Sequence, residues 1–407
     1  MKTDKITIKK GKLKGEIDAI SSKSFAHRAL IMAGLSDSPT EIFINEFSKD
    51  INVTIKALED LGAYIERYED KIILIPSQKK LNKAIIDMYE SGSSLRFFTA
   101  VSTHFAKEIK IIGEKRLSQR PNLALIENLR ENGLSIDNDR LPFTISGDFL
   151  GGNFKLSHDE SSQYITALLL AGSKSARTFI ELDNLAESVG YVDITIDVLK
   201  DFNVDVIKEG FSYKIENPKI ISPKKYYVEG DWSNSAFFYG ANLLGSDIKI
   251  NNLNFNTSQK DKEIISIIER IKEHKNNGKT LKIDISQIPD LAPITAILLT
   301  TLDKPSYIVN GKRLRIKESD RLISTCQMLN NLGAKAEIRG DDLKVEGKIK
   351  GGVVDSFNDH RIVMAASIAS NLASEDITIL DYKAVNKSYP NFFNDFEKLG
   401  GRIKIGE

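Results

Sequence analysis

The chain has 407 residues, 41% hydrophobic and 28% charged, a globular composition too long for one ordinary core. With 57 basic and 56 acidic residues the formal charge is +1, which argues against a broad nucleic-acid surface but leaves room for a local cationic pocket. Cys326 is the only cysteine, so an intrachain disulfide and a multi-cysteine metal site are excluded, and no stretch reaches the roughly 20 apolar residues of a membrane span.

From the N-terminus, Met1 to Ile6 alternates charge with β-branched residues and lacks the apolar core of a signal peptide, so a cytoplasmic location is expected. Six segments of helical length then follow, rich in Ala, Leu, Ile and Ser. They begin near Phe25, Ser94, Ser162, Asn234, Leu291 and His360. The spacing is about 60 to 70 residues, longer than a usual solenoid period. Helices apolar on nearly every side must be buried on most sides. A second, amphipathic helix follows most of them and ends in Gly or Asn before an alternating strand. Leu58 to Gly62, Leu129 to Gly133, Leu199 to Asn203, Leu329 to Gly333 and Phe396 to Gly400 share this pattern. The fourth copy, Ile264 to Lys272, is the least regular, with Asn277 or Gly278 as its cap. Two helix types recurring in one order predict six α/β units, three per domain.

The residues just before the buried helices carry the chemistry. In order they are Lys23-Ser24, Gly92-Ser93-Ser94, Ser161-Ser162-Gln163, Asp231-Trp232-Ser233-Asn234, Pro289-Asp290 and Asn358-Asp359-His360-Arg361. Ser, Asn and Asp are good N-caps, and capping suffices for the fourth segment. Elsewhere Lys23, Arg28, Arg96 and Arg361 stand in the first turns of helices otherwise almost without charge. A cation there opposes the helix dipole unless an anion joins it, so these starts are expected to hold a polyanionic ligand in a cleft between two domains. Lys115 to Pro121 precedes a further helix, with Pro121 suited to its first turn. Arg313 to Arg321, read as a charge run alone, is a solvated helix start. Asn386-Lys387-Ser388-Tyr389-Pro390 leads into the last helix. The acid–base candidates are Glu318, Asp290, His360, Lys23 and Lys387. His27, His104, His158 and His274 show no metal-ligand spacing, and no Walker loop or Gly-x-Ser-x-Gly elbow occurs.

Taken together, Ser22-Lys23-Ser24 with Arg28, Ser161-Ser162-Gln163, Lys317-Glu318-Ser319-Asp320-Arg321, Asp359-His360-Arg361 and Lys387-Ser388-Tyr389-Pro390 resemble the 5-enolpyruvylshikimate-3-phosphate synthase family almost end to end. The resemblance implies an α/β fold of two similar domains, each of three βαβαββ-type repeats around buried helices (an inside-out α/β barrel). It implies a chain that crosses between them twice, placing residues 14–227 in one domain and residues 1–13 with 228–407 in the other. It implies transfer of an enolpyruvyl group from phosphoenolpyruvate to the 5-hydroxyl of shikimate 3-phosphate, through a tetrahedral intermediate and with release of phosphate.

The resemblance also implies roles. Lys23, Ser24, Arg28, Ser161, Ser162, Gln163, Ser188, Tyr191, Asp290 and Lys317 would meet shikimate 3-phosphate, on the 14–227 side. Lys23, Gly92, Arg120, Gln163, Arg321, Arg361 and Lys387 would meet phosphoenolpyruvate, on the other side. Glu318 is the proton donor and later acceptor, Asp290 receives the hydroxyl proton, Lys23 and Lys387 neutralise charge, and His360 orients Glu318 or relays a proton. No metal or organic cofactor, nucleic acid or membrane partner is implied, and the family is usually monomeric. The sequence departs from the family's common Asn-Ala-Gly-Thr at Glu90-Ser91-Gly92-Ser93, and from its frequent asparagine at Arg313. Two alternatives remain. A UDP-N-acetylglucosamine enolpyruvyl transferase shares the fold and donor, but that family uses a mobile-loop cysteine, whereas Cys326 lies in a predicted amphipathic helix and reads as a buried hydrophobe. A non-catalytic polyanion-binding scaffold would be indifferent to changes at Glu318.

Overall fold

The computed structural model describes residues 4–158, 160–184 and 188–406. The chain divides into two compact units, Ser21–Glu229 and Gly230–Glu407 with Met1–Ile20. Each contains a separate continuous apolar core.

The six apolar segments form helices Lys23–Leu35, Gly92–Val101, Ser162–Gly172, Trp232–Leu243, Ala292–Leu299 and His360–Ala369. Burial follows from their composition: all eight residues of Ala292–Leu299 are buried. Each buried Leu or Ile contributes about 1.5–3 kcal/mol relative to exposure, so no face of such a helix can be left in water cheaply. The amphipathic partners, such as Lys49–Asp60 and Arg321–Asn331, bury one stripe only. Their turns end in left-handed backbone at Gly62, Gly133, Asn203, Gly278, Gly333 and Gly400, with φ between +62° and +96°. Gly278, rather than Asn277, caps the fourth.

One sheet plan repeats. Leu81–Asp87 runs parallel to Ala106–Ile112 across the Gly92–Val101 helix; Phe143–Ser146 and Ser135–Ile136 then add antiparallel. The Ser21–Glu229 unit holds three such four-stranded sheets. The first borrows its leading strand, Lys225–Tyr227, from the far end of the unit, pairing it parallel to Thr40–Phe43.

The second unit departs from three equal repeats. Its Lys14–Asp18 and Asp247–Asn251 strands form a sheet of two strands only. After the Ile264–Asn277 helix the chain goes directly to Lys282–Asp284, the leading strand of the next sheet, so no residues are left for a closing hairpin. The N-terminal strand Lys5–Ile8 completes the last sheet between Ile377–Leu380 and Ile403–Gly406. Both N-terminal strands thus pair with the C-terminal half. The compact units divide at Ser21 and Gly230.

Candidate active site

In the Gly230–Glu407 unit, the starts of three buried helices and one amphipathic helix converge in an ion network. Arg321 opens the Arg321–Asn331 helix and is completely buried. Its Nη1 donates to Asp290 Oδ1 at 2.8 Å, Nη2 to Glu318 Oε2 at 2.6 Å, and Nε to Asp359 Oδ2 at 3.0 Å. Arg361 donates from Nη2 to Asp290 Oδ2 at 2.7 Å and to Ser233 Oγ at 2.9 Å. Lys317 Nζ lies 3.4 Å from Asp290 Oδ1. Three cations therefore share one carboxylate. Asp231 and Asp359 cap their helices, accepting from the backbone N–H of Asn234 and Arg361.

The electrostatics follow from this crowding. Burial alone would raise the Asp290 carboxyl, but Arg361, Lys317 and Arg321 outweigh it and hold the group well below the usual carboxylate range. Burial lowers the Lys317 ammonium, against the opposing pull of Asp290. Burial and then the Asp290 charge push Asp261 up to about 7, and its Oδ1 has no hydrogen-bond partner among the described residues. Lys387 is buried and donates to Asn358 O at 3.0 Å, beside His360, which is also buried.

In the Ser21–Glu229 unit, Lys23 Nζ pairs with Asp50 Oδ2 at 2.9 Å. Gln163 Nε2 donates to Ser93 Oγ at 3.0 Å, tying the Ser162–Gly172 helix to the residue after Gly92. Ser161 and Ser91 are side-chain N-caps, while Ser162 is buried within the first turn. Gly92 is pressed by two guanidiniums: a Cβ there would lie 2.2 Å from Arg120 Nη1 and 2.6 Å from Arg96 Nη1. Arg120 Nε is buried without a hydrogen-bond partner among the described residues.

Arg28 is differently placed. Burial brings it down to about 9. It donates to Thr195 Oγ1 (2.8 Å), Ser24 O (2.7 Å), Thr166 Oγ1 (3.2 Å) and Tyr191 O (2.9 Å). Those four bonds use four of its five N–H groups. Two of them, to Thr195 and Tyr191, bind Lys23–Leu35 to the Gly190–Asp201 helix; the bond to Thr166 reaches the Ser162–Gly172 helix, and that to Ser24 O stays within the helix of Arg28 itself. Ser188 is buried, with its backbone at φ +55° just before that helix. A left-handed serine in such a place is local strain held by its surroundings.

Three expectations need correction. The cationic helix starts do not wait unpaired for a ligand: Lys23 and Arg361 have carboxylates of this chain, Arg28 donates to hydroxyls and carbonyls, and Arg96 donates to the carbonyls of Gly92 and Pro121. Buried cations cannot remain uncompensated. The Arg313 to Arg321 run is not a solvated charge run throughout, since Arg313 and Arg321 are buried; Arg315 and Asp320 are its more exposed charges, and Arg315 pairs with both Asp320 and Asp341. Pro121 lies outside the Leu123–Glu131 helix, before its cap Asn122, and supplies a carbonyl instead. Cys326 is in the Arg321–Asn331 helix as expected, though half-buried. Sequence reading missed Asp50 and Asp261, and read Ser233 only as part of a capping segment, whereas its hydroxyl accepts from Arg361. Asp50 and Asp261 sit among ordinary polar residues, and only proximity in space marks them.

The fold and these helix starts define a class: an α/β protein of two units whose buried helix starts gather cations and carboxylates. A sequence profile of EPSP synthase (3-phosphoshikimate 1-carboxyvinyltransferase) matches residues 8–396. The 3-phosphoshikimate 1-carboxyvinyltransferase of Clostridium novyi is 39% identical, covering 98% of both chains. That of Clostridium perfringens is 37% identical, covering 98% of this chain and 99% of its own. An EPSP synthase structure from Acinetobacter baumannii superposes with a TM-score of 0.82 over 100% of both chains, at 22% identity, and supports the fold. The chain belongs to the EPSP synthase family, and with membership come enolpyruvyl transfer from phosphoenolpyruvate to shikimate 3-phosphate and a place in the shikimate pathway of aromatic biosynthesis.

Proposed function

We propose that Asp290 and Glu318 are the acid–base pair of this transfer, set among cations that Asp290 occupies until substrates arrive. The observation that carries this is the convergence of Lys317, Arg321 and Arg361 on Asp290, with Glu318 on Arg321. Arginine forks match carboxylate and phosphate. When phosphoenolpyruvate draws Arg321 and Arg361 to itself, Asp290 loses partners and becomes a stronger base. It then takes the proton of the 5-hydroxyl as that oxygen attacks carbon 2. Glu318, in its acid form, protonates carbon 3; its carboxylate later removes a proton from the same carbon as phosphate leaves the tetrahedral intermediate.

The other roles follow the family resemblance. Ser24, Arg28, Ser161, Ser162, Ser188, Tyr191 and Lys317 take shikimate 3-phosphate, so residues 21–229 supply most of that set. Gly92, Arg120, Arg321, Arg361 and Lys387 take phosphoenolpyruvate, and Lys23 and Gln163 meet both. Arg120 supports this most directly, since its buried Nε has no partner among the described residues. Lys23 and Lys387 neutralise charge at the reacting centre, and His360 orients Glu318 or relays its proton. Each acid–base group contributes about 10²- to 10⁴-fold.

The enzyme works as a cytoplasmic monomer, in keeping with the resemblance; no helix among the described residues is long and apolar enough to cross a membrane. Sedimentation at working concentration tests the monomer.

Deuterium uptake tests the chemistry. In heavy water with both substrates, phosphoenolpyruvate recovered from the reaction should carry deuterium at carbon 3. Glu318→Gln should abolish that uptake. Undiminished exchange in the variant removes Glu318 from the role.

A further inference from the structure

A buried chain of side chains runs through the Ser21–Glu229 unit and takes no part in the chemistry above. His27 Nδ1 lies 2.7 Å from Thr54 Oγ1, Thr54 Oγ1 lies 2.9 Å from Ser94 Oγ, and Ser94 Oγ lies 2.7 Å from Ser91 Oγ. All four residues are at most 1% exposed. The chain links the Lys23–Leu35 helix, through the Lys49–Asp60 helix, to the N-cap of the Gly92–Val101 helix.

The direction of the protons can be argued. His27 Nε2 is buried and has no partner among the described residues. Burial, and then the charges of Lys23 and Arg28, hold the ring well below its ordinary value, so it is neutral and carries one proton. If that proton were on Nε2, a buried donor would be stranded. On Nδ1 it is bonded, and only a lone pair is stranded. Orphaned buried N–H groups are rarer than under-satisfied acceptors. The ring therefore donates to Thr54, whose hydroxyl donates to Ser94, whose hydroxyl donates to Ser91. The Ser91 oxygen also accepts the Ser94 backbone N–H at 3.3 Å. Both its acceptor positions are thus filled, and its rotamer is fixed.

We propose that His27 is a positioning residue: by donating through Thr54 and Ser94 it fixes the Ser91 cap, and so holds Gly92 where phosphoenolpyruvate is received. The inference rests on the reading that places phosphoenolpyruvate at Gly92 and Arg120. It adds that this placement is maintained from the helix that carries Lys23, Ser24 and Arg28. The space at Gly92 is narrow, because the guanidiniums of Arg120 and Arg96 occupy the volume a Cβ there would need.

Thr54→Val keeps the shape of the side chain and removes the link. It should raise KM for phosphoenolpyruvate about tenfold, leaving kcat and KM for shikimate 3-phosphate within about twofold. His27→Phe should do the same, and the double variant should be no worse than either, because both break one chain. His27→Asn can place an amide N–H where Nδ1 stands and should recover most of the loss. Hydrogen exchange of the peptide spanning residues 88–98, followed by mass spectrometry, should quicken in Thr54→Val without substrate. Unchanged exchange in a variant of wild-type melting temperature overturns the relay, whatever the kinetics. So does an equal rise in both KM values, or two single effects that add. Arg120→Ala separates the two readings. If it leaves KM for phosphoenolpyruvate unchanged, the placement at Gly92 fails. If it raises that KM while Thr54→Val does not, the relay alone fails.

Discussion

Gly92→Ala tests the site with a single methyl group. The added Cβ would lie 2.2 Å from Nη1 and 2.7 Å from Cζ of Arg120, and 2.6 Å from Nη1 of Arg96, against an ordinary contact of 3.4 Å or more. Arg120 must therefore withdraw by about 1.2 Å, beyond the reach of a good hydrogen bond to its former target. The fold should tolerate this. The crowding atoms are the ends of flexible side chains, and Gly92 opens a helix, where alanine is the better former by up to about 1 kcal/mol. The cost falls on the ligand: a charge-assisted bond is worth about 1.5–3 kcal/mol, so KM for phosphoenolpyruvate should rise about 10- to 150-fold. Phosphate release at saturating shikimate 3-phosphate, with phosphoenolpyruvate varied, measures it. A melting temperature near wild type with an unchanged KM would refute the reasoning, as would a variant that fails to fold.

Other outcomes follow from the same network. Glu318→Gln should cut turnover by about 10²-fold or more while the protein still folds, read by phosphate release and a thermal melt. Asp290→Ala should lower turnover similarly and also destabilise by about 3–5 kcal/mol, because Arg321, Arg361 and Lys317 lose a shared carboxylate; a denaturant titration checks the second part. Asp261 gives a pH signature. Its folded value of about 7 lies above the unfolded value, so the native state binds the extra proton. Stability should then fall as pH rises from about 4 to 7, by at most about 4 kcal/mol. Asp261→Asn should not show that loss, and its melting temperature should gain on wild type between pH 5 and pH 8. Parallel curves would exclude the assignment.

Much of the fold was legible because burial leaves a mark in composition. A helix such as Ala292–Leu299, apolar on every side, can exist only inside, and Gly62 or Asn203 before an alternating strand is the mark of a left-handed turn. The site was legible as motifs, since Lys317 to Arg321 and Asp359 to Arg361 are local in sequence.

Partners distant in sequence were not legible. Asp290 meets Arg361 from 71 residues away and Arg321 from 31, and no local pattern encodes either pairing. The cations looked as though they needed a foreign anion; tertiary structure supplied Asp50, Asp290 and Asp359 instead. The fourth sheet lost its hairpin because the chain moves straight from the Gly278 cap to Lys282–Asp284, and the N-terminal strands joined the far half. The six buried helices and most of the left-handed turns that end their amphipathic partners were determined by the sequence alone, because solvation and backbone conformation act on neighbours along the chain. Which charge faces which, and whether His27 reaches Ser91, was decided only by the tertiary fold, since electrostatics and hydrogen bonds act through space.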